Sequence, residues 1–134
     1  MSRTDGRTTI ADLVAKARSR YRRLSPAEAY AEAGNGAMVV DTRCREALDA
    51  DGRIPGAVHV PLSVLPWRVD PDSPHRDGRI ARLDARLILV CAHGFSSSLA
   101  VASLLDLGFT AATDIEGGFE AWSGSSLPVA RPDS

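Results

Sequence analysis

The sequence predicts an α/β fold, a central parallel sheet flanked by helices on both faces, and three observations lead to it. Strand-like and helix-like segments alternate along the chain, as βα units do. The clearest strand, Leu87–Val90, is a continuous apolar run, the mark of a strand covered on both sides. The length, 134 residues, suits one domain with a single self-sufficient core.

Each element has a local reason. Ile10, Leu13, Val14, Ala17 and Tyr21 recur at helical spacing over Thr9–Arg22, with Thr8 or Thr9 as the cap. Ser25-Pro26-Ala27-Glu28 is an N-cap with Pro at the first helical position and Glu at the third. A second helix therefore runs to Ala33 and stops at Gly34-Asn35-Gly36. Ala37–Val40 reads as a buried strand ending at Asp41-Thr42-Arg43, and Arg45–Ala50 as a short helix broken by Asp51-Gly52. Ala57–Pro61 reads as a short strand after the Ile54-Pro55-Gly56 turn, and Pro66–Gly78, carrying Pro66, Pro71 and Pro74, as a long polar loop. A helix over Ser97–Leu107 ends at Gly108. Thr113-Asp114-Ile115 is a further short strand, followed by Gly117-Gly118 and an amphipathic turn to Trp122.

Composition narrows the class. A hydrophobic fraction of 44% and a charged fraction of 25% are those of a globular protein. No stretch approaches the ~20 apolar residues of a membrane span. The polar start lacks the apolar run of a secretion signal, so the cytoplasm is the expected compartment. With 16 basic and 17 acidic residues the formal net charge is −1, which gives no pull toward nucleic acid or a membrane surface. Cys44 and Cys91 are too few for a disulfide scaffold and too far apart for a zinc knuckle, leaving two free thiols.

Cys91 is the informative one. It stands first in the loop Cys91-Ala92-His93-Gly94-Phe95-Ser96, between a buried strand and a helix beginning near Ser97. Parallel α/β sheets bind ligands beyond the carboxyl ends of their strands. A loop entering a helix there gathers backbone N–H groups into one concavity, and the helix dipole adds positive potential. Cysteines at helix N-termini can fall from about 8.5 to ~3.5–7.5 in pKa. Such a thiolate is a soft nucleophile for electrophilic sulfur, and for phosphorus with more difficulty. The plainer alternative is a small buried hydrophobe at a strand end.

Five motifs in order carry a family resemblance. Asp41-Thr42-Arg43, Gly52-Arg53-Ile54-Pro55-Gly56-Ala57, Cys91-x-x-Gly94-x-Ser96-Ser97, Gly108-Phe109 and Gly117-Gly118-x-x-Ala121-Trp122 together resemble a single-domain rhodanese-like protein from Leu24 onward. The resemblance implies a sulfurtransferase in which Cys91 is the nucleophile and cycles between thiol and persulfide. It implies that Ala92, His93, Gly94, Phe95, Ser96 and Ser97 form the anion-binding loop. The expected donor is a small sulfur-containing anion or a persulfide, and the expected acceptor a thiol or cyanide. No metal and no organic cofactor is expected. The other reading is a non-catalytic rhodanese-like binding or redox-sensing module. On this division residues 1–23 are an N-terminal helical extension and 24–134 the rhodanese-like domain; a protein sulfur carrier or a homodimer stays open.

The chain departs from the family where charge is concerned. Family members often carry Arg at the position of Ser96 and a basic residue at that of Ala92. Without those cations a dianion such as thiosulfate should be a poorer donor than a persulfide. The same gap counts against a phosphatase, whose longer loop ends in Arg. His93 offers partial positive charge or merely faces solvent. Phe95 forms an apolar wall beside the sulfur or packs on the core, and Ser96–Ser98 cap the following helix. Asp41 and Arg43 are accessory candidates; an internal ion pair of Arg43 with Asp41 or Glu46 competes with a substrate-facing Arg43. Cys44 is a passive thiol or a sulfur relay for Cys91. Trp67 and Arg68 form a recognition surface, or Trp67 folds back onto the core, which is the preferred reading; Trp122 is core. The basic run Arg18-Ser19-Arg20-Tyr21-Arg22-Arg23 reads as a solvated helix end.

Overall fold

The computed structural model describes residues 6–131; residues 1–5 and 132–134, the outer ends of the anticipated extension and domain, lie outside the described residues. Strands β1 (Met38–Asp41), β2 (Val58–His59), β3 (Leu87–Val90) and β4 (Ala112–Asp114) form one parallel sheet in the order β2-β1-β3-β4. Asp41 lies opposite Val90, and Leu89 opposite Asp114. The carboxyl ends of β1, β3 and β4 are thus level, on the side of the sheet where such folds bind ligands.

Side chains alternate through the sheet, and each face finds its own cover. Val40, Leu87 and Leu89 pack with Leu65 and Val69 of α4 (Leu65–Val69) and with Val101 and Leu104 of α5 (Ser96–Asp106). Val39, Ile88 and Val90 pack with Ala29 of α2 (Pro26–Gly34) and with Phe119 and Trp122 of α6 (Gly118–Gly124). Helix α3 (Arg45–Asp51) follows β1, and α1 (Ile10–Arg18) packs on α5. The parallel sheet with helices on both faces is the architecture expected from the alternation of elements.

Capping decides where two helices begin. Thr9 closes a capping box with Asp12, and Ser25 closes one with Glu28, each satisfying donors the first helical turn leaves open. Three expectations need correction. The first helix ends at Arg18, not Arg22, because the chain turns inward to set Leu24 in a parallel bridge beside Ile115. The stretch read as a loop from Pro66 begins with helix α4, which tolerates Pro66 in its first turn, where no intrahelical donor is needed. Trp67 on that helix is 57% exposed, against the preferred reading of a folded-back ring. Trp122 is buried, and its indole N–H donates to the Pro128 carbonyl at 2.8 Å.

Candidate active site

Strand β3 delivers Cys91 to the end of the sheet, and the chain curls before entering α5. The Cys91 Sγ accepts hydrogen bonds from the Gly94 N–H at 3.1 Å and the Ser97 N–H at 3.4 Å. The residue is buried, 5% exposed. The curl needs Gly94 in the left-handed region, at φ 85°.

What holds the loop in this shape lies outside it. The Phe119 N–H donates to the Cys91 carbonyl at 2.8 Å and the Glu120 N–H to the Ala92 carbonyl at 3.1 Å, both from the first turn of α6. The Gly117-Gly118 turn lets α6 come this close. A Cβ on Gly118 would collide with the Cys91 carbonyl oxygen, and one on Gly94 would sit 2.8 Å from the Gly117 nitrogen. The late glycine pair is therefore the seat of the cysteine loop. With its carbonyls turned outward, N–H groups of the loop face the sulfur.

Opposed forces set the thiol's ionisation. Burial pushes it up, by removing water from the charged form. The Ser97 and Ser96 hydroxyls and the Ser97 and Gly94 N–H groups pull it down, and the balance falls below the ordinary thiol value. The Ser97 hydroxyl is a shared donor. Its single proton points to Asp114 Oδ2, 2.8 Å away, so it reaches the sulfur only by releasing that carboxylate. The constant donors are the two N–H groups.

Beneath the loop sits a network that strand and helix patterning alone did not disclose. Asp114, at the end of β4, is fully buried. It accepts from the Ser97 and Ser98 hydroxyls at 2.8 and 2.9 Å and from Arg23 Nε at 2.9 Å. Ser97 and Ser98 thus serve the carboxylate, and no side-chain cap closes α5, which corrects the capping expectation. Arg23 is not a solvated helix end; with Arg18 it reaches the Gly94 carbonyl. A carboxylate at a strand's carboxyl end was the available signal, because Asp41 likewise ends β1 and Cys91 directly follows the last residue of β3.

The remaining candidates sort themselves around this centre. Arg43 pairs internally with Asp41, Nη2 to Oδ2 at 2.7 Å, donates to the Gly52 carbonyl and lies 3.9 Å over the Phe119 ring. Arg43 also borders a cleft of about 430 Å³ with Ala92, His93, Phe119 and Glu120. His93 is exposed, with Nδ1 3.4 Å from Glu120 Oε2. Phe95 is 63% exposed and lies beside Arg18, so it does not pack on the core. Cys44 is an exposed free thiol heading α3, and Cys91 is also free. Among the described residues no group of three or more His, Cys, Asp or Glu is placed to hold a metal, and no helix is long and apolar enough to cross a membrane.

Comparison with known proteins agrees with this fold. The rhodanese-like domain matches residues 25–125. Thiosulfate sulfurtransferase GlpE of Pseudomonas entomophila is 41% identical over 104 residues, spanning 78% of this chain and 86% of that protein. The homologue of the same name from Ectopseudomonas mendocina is 39% identical over the same shares. Among solved structures, a Rhodopseudomonas palustris protein of unknown function, described as a possible tyrosine phosphatase, superposes with TM-score 0.84 at 30% identity, covering 96% of this chain and 98% of its own. A rhodanese-related protein from Thermoplasma volcanium gives TM-score 0.65 at 30% identity over 81% and 97% of the two chains. On the extent of these matches, the chain belongs to the rhodanese-like domain family.

Proposed function

We propose that this protein is a sulfurtransferase that moves sulfane sulfur from a donor to a thiol or cyanide through a persulfide on Cys91. The single observation that carries the reading is the pair of N–H groups aimed at Cys91 Sγ from Gly94 and Ser97, in a loop retaining the nucleophile. The curated relatives named thiosulfate sulfurtransferase support it.

The chemistry is two displacements. The Cys91 thiolate attacks the terminal sulfur of the donor; a new S–S bond forms, the donor's S–S bond breaks, and its electron pair leaves as sulfite or as a thiolate. The acceptor then attacks the outer sulfur of the Cys91 persulfide, returning the Cys91 thiolate and yielding a new persulfide, or thiocyanate when cyanide accepts. The terminal persulfide sulfur is anionic, and the loop's N–H groups suit that charge. Electrons and atoms balance without a redox cofactor.

Donor preference follows from charge. Residues 92–97 contain no Lys or Arg. Losing one charge-assisted contact costs about 1.5–3 kcal/mol, about tenfold or more in affinity. A persulfide is therefore the better donor and thiosulfate the poorer one. The lack of an Arg closing the loop likewise disfavours phosphoryl transfer. The cytoplasm, which keeps thiols reduced, suits this cycle.

The test is mass spectrometry of protein incubated with a persulfide or with thiosulfate. The expected result is a gain of one sulfur atom on Cys91, removed by cyanide with formation of thiocyanate. No modification with either donor would leave a binding or sensing module.

A further inference from the structure

The cysteine loop is shaped through its carbonyls, and one of them is gripped differently from the others. Those of Cys91 and Ala92 meet N–H groups of α6. The Gly94 carbonyl instead accepts from two guanidinium groups, Arg18 Nη2 at 2.7 Å and Arg23 Nη2 at 2.9 Å. Both arginines precede the span of residues 25–125 that matches the family. They reach across 76 and 71 positions of chain.

The C=O and N–H of a trans peptide point in opposite directions. Two cations on the Gly94 oxygen therefore fix the orientation of this peptide, directing its Phe95 N–H away from the arginines and polarising it. The two arginines differ in charge balance. Arg23 is paired with Asp114 at 2.9 Å. Arg18 has no carboxylate partner among the described residues; its other contacts are the Ser98 hydroxyl at 2.9 Å and the Phe95 ring at 5.9 Å. Among the described residues it thus brings a positive charge without a carboxylate partner to a loop that contains no Lys or Arg.

We propose that Arg18, braced by Arg23, is a positioning residue for Cys91: it locks the Gly94 peptide so that the loop's N–H groups face the sulfur, and it supplies from outside the loop the positive charge that residues 92–97 lack. Helix α1 is then part of the active centre's support and not a separable extension. The inference rests on the reading that Cys91 is the reacting group.

Other charges around the loop are balanced or distant from this role. Arg43 faces Asp41, and His93 faces Glu120. Arg23 faces Asp114, with Glu116 nearby. Tyr21, pushed up to about 12 chiefly by burial and then by Asp114, stays neutral. Removing Arg18 is thus the change that alters the net charge behind the sulfur.

The experiment is the pH dependence of iodoacetamide alkylation, read by mass spectrometry on the peptide containing Cys91, in the full chain and in Arg18→Met and Arg18→Lys. Arg18→Met should move the inflection to higher pH and slow alkylation at neutral pH about three- to tenfold, a shift of about half to one pKa unit. Its rate should converge with the parent's at pH well above both inflections. Arg18→Lys, which restores charge, should recover most of the shift. A parental profile in Arg18→Met, or equal slowing at every pH, would overturn the proposal, since the latter reports access and not ionisation. Should Arg18→Met not fold, Arg18→Gln decides by the same criteria. No sulfur donor is used, so a Cys91 that alkylates as described yet takes up no sulfur would strike the proposed function alone.

Discussion

Ser97 faces two ways: its hydroxyl donates to Asp114 Oδ2 at 2.8 Å, while its N–H points at Cys91 Sγ from 3.4 Å. One residue therefore ties the buried carboxylate of β4 to the thiol of β3. The pairing makes the shape of the cysteine loop depend on the strand beside it, and that dependence can be measured.

Asp114→Asn removes the carboxylate paired with Arg23 in a site where the arginine side chain is 15% exposed. Stranding a buried charge costs about 3–5 kcal/mol. Urea unfolding should show a loss in that range. A loss under about 1 kcal/mol would mean that Arg23 finds water or another partner, and that the network does not brace the loop.

Gly118→Ala places a methyl group against the Cys91 carbonyl at a backbone φ of 65°. Left-handed strain of about 1–2 kcal/mol and overpacking of about 1–3 kcal/mol act together. The variant should be destabilised and should lose Cys91 reactivity. Gly34→Ala, where nothing lies within 4 Å of the added Cβ, is the control and should change stability by no more than about 1 kcal/mol. Equal effects from the two substitutions would contradict the seating role of the late glycine pair.

Ser96→Arg puts into the loop the cation that rhodanese-like proteins often carry there. kcat/KM for thiosulfate should rise about tenfold relative to a persulfide donor. Steady-state kinetics with both donors decides this. An unchanged ratio would show that loop charge does not set donor preference.

Much of this arrangement was legible along the chain. Leu87–Val90 matches β3 residue for residue, and the Ser25–Glu28 box starts α2 as its caps dictate. Both are local patterns, written by burial and by unsatisfied helical donors. The Cys91 loop was legible because strand end, glycine and helix start are contiguous. Arg18 and Arg23 were not. Their partners lie more than seventy residues away, and a basic run after an amphipathic helix has the same composition whether it meets water or a carbonyl. Phe95 was ambiguous for a related reason: its exposure depends on where α1 lies, which no periodicity within the loop encodes.

The central claim is that the loop favours the ionised form of Cys91 despite burying it, and the alkylation rate of the unmodified protein against pH tests it most directly. The folded-state value lies below the ordinary one, so the thiolate forms as pH rises through an inflection beneath that of an ordinary thiol. The account predicts that inflection on the Cys91 peptide, with exposed Cys44 as the internal comparison. An inflection at or above ~8.5 would contradict it, because burial would then outweigh every donor the loop provides.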